Sequence, residues 1–414
     1  MSIVETIQYP AIIVVAYNRS VSLSRLLQSL QKAQYPSGNI HLIISIDYSG
    51  NDDVLNIAEN FAWRHGKKEI IQHPQRLGLH QHVIQCGDLS NRFGDIIILE
   101  DDLYVSPCFY DYAVQALDYY QDDTDIAGIS LYAHGFNEIA WHPFIPLLDG
   151  SDVFFMQYPS SWGQVWSKRQ WNKFRFWYNK NKNEHQLIAS LLPKDIAAWP
   201  DSSWKKFFTA YLIHTNLFFV YPRDSYTTNF GDAGTHIPLP LTAFQRPIQY
   251  ASKKVTFQNK TDSNAVYDVF CEIMPYCLTC SAPFLERYNY EVDLYGVKPL
   301  KNISAEYLLT TKQSRSPVKS FSMGLKPHEA NIIENIEGSD IVLSKAQDIM
   351  NQENSYRFNK KSLSFHHDLT RDHYDALKMI CIKETDLSSH LKTKEIASLL
   401  LRTIFKRIRQ TLKS

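Results

Sequence analysis

The sequence predicts an α/β protein: a mainly parallel sheet flanked by helices, with a small C-terminal β-rich or α+β appendage. Three observations predict it. Short apolar runs alternate with segments of helical periodicity through the first half of the chain. One of these runs, residues 96–99, passes straight into Glu100, Asp101 and Asp102. From about residue 290 the pattern shifts to short strand-like runs separated by Gly, Pro and Asn.

The elements follow in order. Residues 11–16 (Ala-Ile-Ile-Val-Val-Ala) read as a buried strand. Val21, Leu23, Leu26, Leu27 and Leu30 then recur at helical spacing, with Ser20 or Ser22 as the cap. The loop between them carries Tyr17, Asn18 and Arg19. It lacks the glycine pattern of a dinucleotide fold and the Gly-Lys-Ser/Thr of a P-loop, so both cofactor classes lose support. Residues 41–46 form a second strand, ending at Asp47, and 54–63 a helix. Residues 69–72 form a third strand, Arg76 and Gly78 a connection, and 79–90 a helix. The fourth strand, 96–99, is followed by the acids and then by a helix over 107–120. Strands at 126–131, 154–156 and 217–221 continue the pattern, with an apolar helix reaching Ile213. Trp162 and Trp166 stand four apart, and Gly163 leaves room for a ligand or a neighbouring backbone. A polar loop with glycines spans 223–236.

Open α/β sheets bind ligands just beyond the carboxyl ends of their strands. Three carboxylates there repel one another unless a cation sits among them. Oxygen ligands of this kind suit Mg²⁺ or Mn²⁺, often with phosphate oxygens completing the shell. The alternative is a solvated acidic turn. His236 is a candidate second metal ligand, since imidazole binds Mn²⁺; otherwise it bonds the backbone of its own loop. Asp232, with Gly231 and Gly234 as hinges, is a candidate for ordering a lid.

Composition bounds the rest. The 414 residues are 44% apolar, enough for a substantial core and two to three domains. Lys+Arg and Asp+Glu both number 43, so no global basic bias points to nucleic acid. The 24 Tyr, 22 Phe and 8 Trp suit sugar stacking and a generous core equally. No basic leader and no apolar stretch of about 20 residues is present, so neither export nor a membrane span is expected. The six cysteines, far apart except for Cys271, Cys277 and Cys280, then read as free thiols of the cytoplasm, and the lone Cys277-x-x-Cys280 lacks a second ligand pair.

The ordered motifs resemble inverting glycosyltransferases of the GT-A fold and the broad bacterial family 2 type. Those motifs are Ala16-Tyr17-Asn18-Arg19, Asp47, the acid triplet, and the segment from Ser161-Trp162-Gly163 to Trp171. A narrower likeness is to the eukaryotic N-acetylglucosaminyltransferase that starts complex N-glycan branches. It rests on Glu100-Asp101-Asp102-Leu103, Trp162-Gly163, the stretch 199–204, and Asn229-Phe230-Gly231 through His236. The resemblance covers about three fifths of the chain, residues 1–245, and fades beyond.

By position, the resemblance implies that Ala16, Tyr17, Asn18 and Arg19 line the base and ribose pocket. Asp47 accepts a hydrogen bond from uracil or thymine. Arg76 lies near sugar or phosphates, and Glu100, Asp101 and Trp162 face the nucleotide sugar. Asp102 ligates the metal, and Asp201 is the general base. One departure stands out. The family's Trp-Asp-Asp-Trp is Trp199-Pro200-Asp201-Ser202-Ser203-Trp204 here, one residue longer and with a single acid; Asp195 is the nearest competitor.

The implied activity is metal-dependent transfer of a hexosyl or N-acetylhexosaminyl group from a UDP- or dTDP-sugar to a glycan hydroxyl, in bacterial surface polysaccharide synthesis. The alternatives are a nucleotidyltransferase and a non-catalytic subunit that binds nucleotide or glycan. Residues 246–289 read as a connector with a helix-like run over 266–277, and 290–390 as the appendage. His366, His367 and Asp368 with Asp372 and His373 read as a solvated polar turn rather than a metal site. At 391–414, Ile396, Leu399, Leu400, Ile404 and Phe405 share a helical face while Arg402, Lys406, Arg407 and Arg409 lie elsewhere. This basic amphipathic helix fits an anionic membrane surface at the inner face of the cell membrane, and a lipid-linked acceptor with it. Docking on its own domain or on a partner is equally physical.

Overall fold

The computed structural model describes residues 9–36, 39–232, 244–350 and 360–367. The chain divides into two compact units, Met1–Phe136 with Phe144–Arg287, and Asn137–Pro143 with Tyr288–Ser414.

In the first unit the strands are β1 (Ala11–Ala16), β2 (Leu42–Ile46), β3 (Lys68–Gln72), β4 (Ile96–Glu100), β5 (Leu103–Val105) and β6 (Ile126–Ser130). They continue with β7 (Val153–Met156), β8 (Gln164–Trp166), β9 (Phe218–Pro222), β10 (Thr227–Asn229) and β11 (Val266–Tyr267). Nine of them form one sheet in the order β11-β7-β9-β6-β8-β4-β1-β2-β3. β1 is parallel to both β2 and β4, β2 to β3, and β9 to β6, while β8 runs antiparallel between β4 and β6. The apolar runs are continuous because β1, β2 and β4 are covered on both faces; every residue of β1 is buried.

The covering helices are α1 (Ser20–Lys32), α2 (Asp53–Asn60), α3 (Leu79–Asp88), α4 (Phe109–Tyr120), α5 (Lys168–Asn181), α6 (His185–Leu191) and α7 (Trp204–Thr215). α1 buries Leu23, Leu26, Leu27 and Leu30 on one face, as their spacing requires. α5 starts with a capping box: Ser167 Oγ accepts from Gln170 N and Gln170 Oε1 from Ser167 N. Trp166 and Trp171 are fully buried core residues, with ring centroids 4.8 Å apart.

Two expectations need correction here. α2 stops at Asn60 instead of running to Trp63. Lys68 Nζ donates to the carbonyls of Ala58, Glu59 and Phe61, and Trp63 Nε1 donates to Ile40 O. These bonds satisfy the helix end and draw the chain into an extended path. The run 266–277 is not one helix but the short strand β11 and then α8 (Pro275–Ser281). Asp268 Oδ1 accepts from the backbone N–H of Phe270 and of Glu272, and Cys271 adopts φ 60°. A side chain that captures the backbone in this way competes with helix formation. The segment thus supplies an edge strand, with β11 parallel to β7.

In the second unit the four expected strands form: β12 (Tyr290–Asp293), β13 (Tyr307–Thr310), β14 (Lys319–Phe321) and β15 (Ile341–Lys345). They make one sheet in the order β12-β13-β15-β14. His366 and His367 end a helix, α9 (Lys360–His367), instead of a solvated turn. His366 is buried, stacked on His142 at 4.3 Å and on Tyr295 at 5.4 Å between centroids. Asp368, Asp372, His373 and the basic segment 391–414 lie outside the described residues. Among the described residues, no helix is long and apolar enough to cross a membrane.

Candidate active site

A cleft of about 410 Å³ opens where β1 and β4 end side by side. Val15 pairs with Glu100 in that register, so the chain leaving β1 faces the chain leaving β4. The structure brings Ala16, Tyr17, Asn18, Arg19, Asp47, Arg76, Glu100, Asp101, Asp102 and Trp162 together around this one cavity.

Arg19 immediately precedes α1, and its guanidinium spans two acids. Nη2 bonds Asp101 Oδ1, and Nη1 bonds Asp102 Oδ2 at 3.0 Å. Tyr17 N–H donates to Asp101 Oδ2 at 3.4 Å. The other oxygen of Asp102, Oδ1, is buried with no hydrogen-bond partner. Burial and then the nearby Asp102 charge push the Glu100 carboxyl well above the usual carboxylate range. Burial also raises Asp101, and Arg19 limits the rise to about 6. Burial works against the charge on Arg19, but Asp101 and Asp102 more than reverse this and its pKa is raised.

Asp47 lies at the end of β2 and is buried. Its carboxylate accepts from the backbone N–H groups of Leu77 (2.7 Å), Gly78 (2.9 Å) and Tyr48 (2.9 Å). It therefore fixes the turn that leads into α3, and Gly78 meets that turn at φ 77°. Arg76 is carried on the same turn, with its guanidinium 5.1 Å from the centre of the Tyr17 ring. Beneath the turn, His82 bonds Ser45 Oγ at 2.8 Å, and burial lowers its pKa to about 4.

The segment behind the acids is held by β5, which pairs antiparallel with β10. Phe230 N–H then donates to Asp102 O at 3.0 Å, and Gly231 N–H to Asn229 Oδ1 at 2.6 Å. Asp232 accepts from Ser22 Oγ at 2.7 Å and from Arg25, both on α1. Burial would raise the Asp232 carboxyl, but these donors hold it below the usual carboxylate range. This ties the start of the glycine loop across the cleft. His236 and Gly234 lie outside the described residues.

The opposite wall is aromatic. Trp162 packs on Tyr132 at 4.8 Å and on Phe244 at 5.0 Å between centroids. Gly163, at φ 95°, lets the chain turn there; a Cβ would meet Thr227 Cγ2 at 3.0 Å. Ser202 lines the cleft, but Asp201 does not. The Asp201 side chain is 56% exposed and pairs with Lys206 Nζ at 2.8 Å and His185 Nδ1 at 3.6 Å. The Lys206 hydrogen bond holds its carboxyl below the usual range. Only its backbone carbonyl points inward, accepting from His80 Nδ1 at 2.8 Å. In the 199–204 stretch it is thus Ser202 that faces the cleft, while the Asp201 carboxylate points outward to Lys206.

Sequence reasoning missed His82, Leu79, Ser202, Asn229 and Phe244 as lining residues. A histidine on an apolar helix face was a faint signal for His82. Nothing local signals Phe244, which reaches Trp162 only through the fold.

The first unit is thus a mainly parallel sheet flanked by helices, matching the GT-A fold, with strand-end carboxylates facing an aromatic wall. Residues 11–186, somewhat under half of the chain, match the family model of glycosyl transferase family 2. No curated protein matches the chain. Solved structures that the chain matches include S. aureus TarS, at 16% identity and TM-score 0.33, over 53% of this chain and 36% of that one. They also include TarS 1–349 in complex with UDP, at 16% identity and TM-score 0.33, over 53% and 59%. A third is the mannosyltransferase PcManGT from Pyrobaculum calidifontis in complex with GDP-Man and Mn²⁺, at 11% identity and TM-score 0.33, over 52% and 55%. The chain thus spans between about a third and three fifths of the length of these proteins.

Proposed function

We propose that this protein is a metal-dependent, inverting glycosyltransferase. It transfers a hexosyl or N-acetylhexosaminyl group from a UDP- or dTDP-sugar to a hydroxyl of a glycan acceptor, in bacterial surface polysaccharide synthesis. The observation that carries the reading is Asp102: a strand-end carboxylate in the family-matched segment, with one oxygen buried and unpartnered at the cleft. That oxygen fits a hard divalent cation such as Mn²⁺ or Mg²⁺. Among the described residues no three His, Cys, Asp or Glu side chains are grouped to hold a metal by themselves. Asp102 would therefore hold it together with donor phosphate oxygens, and His236 is a further candidate ligand. When bound, the cation supplies Lewis-acid stabilisation of the leaving diphosphate.

The remaining roles belong to the chain. The turn held by Asp47 orients the base. Arg19 and Arg76 face the phosphates, and Trp162 offers its ring to the sugar. The acceptor oxygen bonds to the anomeric carbon as the anomeric carbon–phosphate oxygen bond breaks. The electron pair leaves with the nucleoside diphosphate, and the acceptor proton goes to Asp201. For this Asp201, which does not line the cleft, must exchange Lys206 for the acceptor. The likeness to the N-acetylglucosaminyltransferase of complex N-glycans belongs to this proposal, as does membrane contact through residues 394–414. Deleting 394–414 without changing the membrane-bound fraction would remove that contact.

The outward Asp201 favours one second reading, a subunit that binds donor or glycan without turnover. A panel of UDP-, dTDP- and GDP-sugars with Mn²⁺ separates the readings. Nucleoside diphosphate release that depends on a glycan acceptor is the expected result. Donor binding by calorimetry without release supports the binding subunit. Pyrophosphate release from a nucleoside triphosphate and a sugar phosphate marks a nucleotidyltransferase and overturns the proposal.

A further inference from the structure

We infer that Arg19 is the built-in counter-cation of Asp101 and Asp102 in the nucleotide-free protein, so that a divalent cation and a nucleoside diphosphate enter this cleft as a pair. The inference rests on the reading of the cleft as a nucleotide-diphosphate site and adds how that site is kept closed to metal alone.

Three observations carry it. First, one guanidinium serves both acids, and the Asp101 side chain is 4% exposed. A buried carboxylate that loses its only cation is strongly destabilised, so Arg19 cannot leave without a replacement. Second, Asp102 is divided: Oδ2 is held by Arg19 at 3.0 Å while Oδ1 is buried with no partner. A cation arriving at Oδ1 meets a guanidinium already bonded to the other oxygen of the same carboxylate. The two positive charges repel at close range inside a site shielded from solvent. Third, the cleft's other lining arginine, Arg76, stands on the Tyr17 ring and forms no ion pair with the triplet among the described residues.

A nucleoside diphosphate changes the balance. The planar fork of Arg19 matches two phosphate oxygens as well as it matches two carboxylates. The Arg19 side chain lines the cleft at the N-terminal end of α1 and is 28% exposed, so a phosphate can reach it. A phosphate taking the Nη1 arm of Arg19 would free Asp102 to hold a divalent cation, while Nη2 keeps Asp101 compensated. Each ligand then removes the obstacle to the other, which is positive coupling of two binding equilibria.

The test is direct Mn²⁺ binding, followed by the electron paramagnetic resonance signal of free Mn²⁺, with UDP, dTDP and GDP each added in turn. Wild type should bind Mn²⁺ weakly alone and at least about tenfold more tightly with the fitting nucleotide, within the usual range of coupling between sites. R19A and R19Q should bind Mn²⁺ alone about tenfold more tightly than wild type, with the coupling to nucleotide reduced toward one. Gln keeps a hydrogen-bond donor beside Asp101, so R19Q answers the question if R19A does not fold; near-ultraviolet circular dichroism checks both. Equal affinity of wild type and folded R19Q for Mn²⁺ alone overturns the inference. So does nucleotide binding by wild type that is undiminished in EDTA and abolished by R19Q, since Arg19 then replaces the metal outright. If none of the three nucleotides binds wild type with Mn²⁺, the donor-site reading itself fails, while the Mn²⁺-alone comparison still decides whether Arg19 competes.

Discussion

Along the β1–β4 wall of the cleft, carboxylates are held by groups at strand ends: Asp47 by three backbone N–H groups, Asp101 by Arg19 and Tyr17. Asp201, outside the cleft lining, hangs from a turn, half exposed, with Lys206 as its partner. The difference is one of preorganisation. On the proposed reading, the sheet orients charge for the donor before any ligand arrives, whereas Asp201 has to move to reach an acceptor.

The largest test of this contrast is Asp201→Asn. If Asp201 is the base, kcat falls by ~10²–10⁴-fold while donor affinity stays near wild type. The control, Ser202→Ala, should keep turnover within a few-fold. The reverse pattern in steady-state kinetics would move the acceptor-side role to Ser202 and end the assignment of Asp201. Next is Asp102→Ala, which should weaken Mn²⁺-dependent nucleotide binding by at least about 10²-fold by calorimetry. Wild-type turnover in excess EDTA would remove metal from the mechanism.

The third test asks how rigid the donor wall is against pH. His82 is buried neutral, its pKa lowered from 6.5 to about 4. A depressed pKa leaves stability intact above pH 6.5 and removes it as pH falls toward 4. The loss approaches about 3 kcal/mol at and below pH 4. Urea unfolding at pH 7 and pH 4 should therefore show a steeper decline for wild type than for His82→Gln; parallel declines would mean that His82 does not carry this penalty. The smallest effect should come from Asp47→Ala, which leaves the Leu77 and Gly78 N–H groups without their acceptor. A loss of about 1–3 kcal/mol in stability is expected. Donor affinity should weaken with it, because the turn carrying Arg76 loosens. An unchanged melting temperature would show that another group orders the turn.

Much of this protein was decided by the sequence alone, because it is local. Runs such as Ile96 to Leu99 have no alternative to burial, the leucines of α1 share one face, and four short apolar segments make the sheet of the second unit. The acids at the end of β4 were equally plain, since a buried strand has to emit its first charges at a sheet edge. The break at Cys271 was not, because it depends on where the Asp268 side chain points. Three further decisions belong to tertiary structure. Arg19 meets Asp101 and Asp102 across more than eighty residues only because β1 and β4 are neighbours. Phe244 closes on Trp162 from a distant segment. Asp201 faces Lys206, one turn into the following helix, rather than the cleft. Strand and helix follow from spacing along the chain. Which side chains share a site, and which way a lone carboxylate turns, follows from sheet order and register.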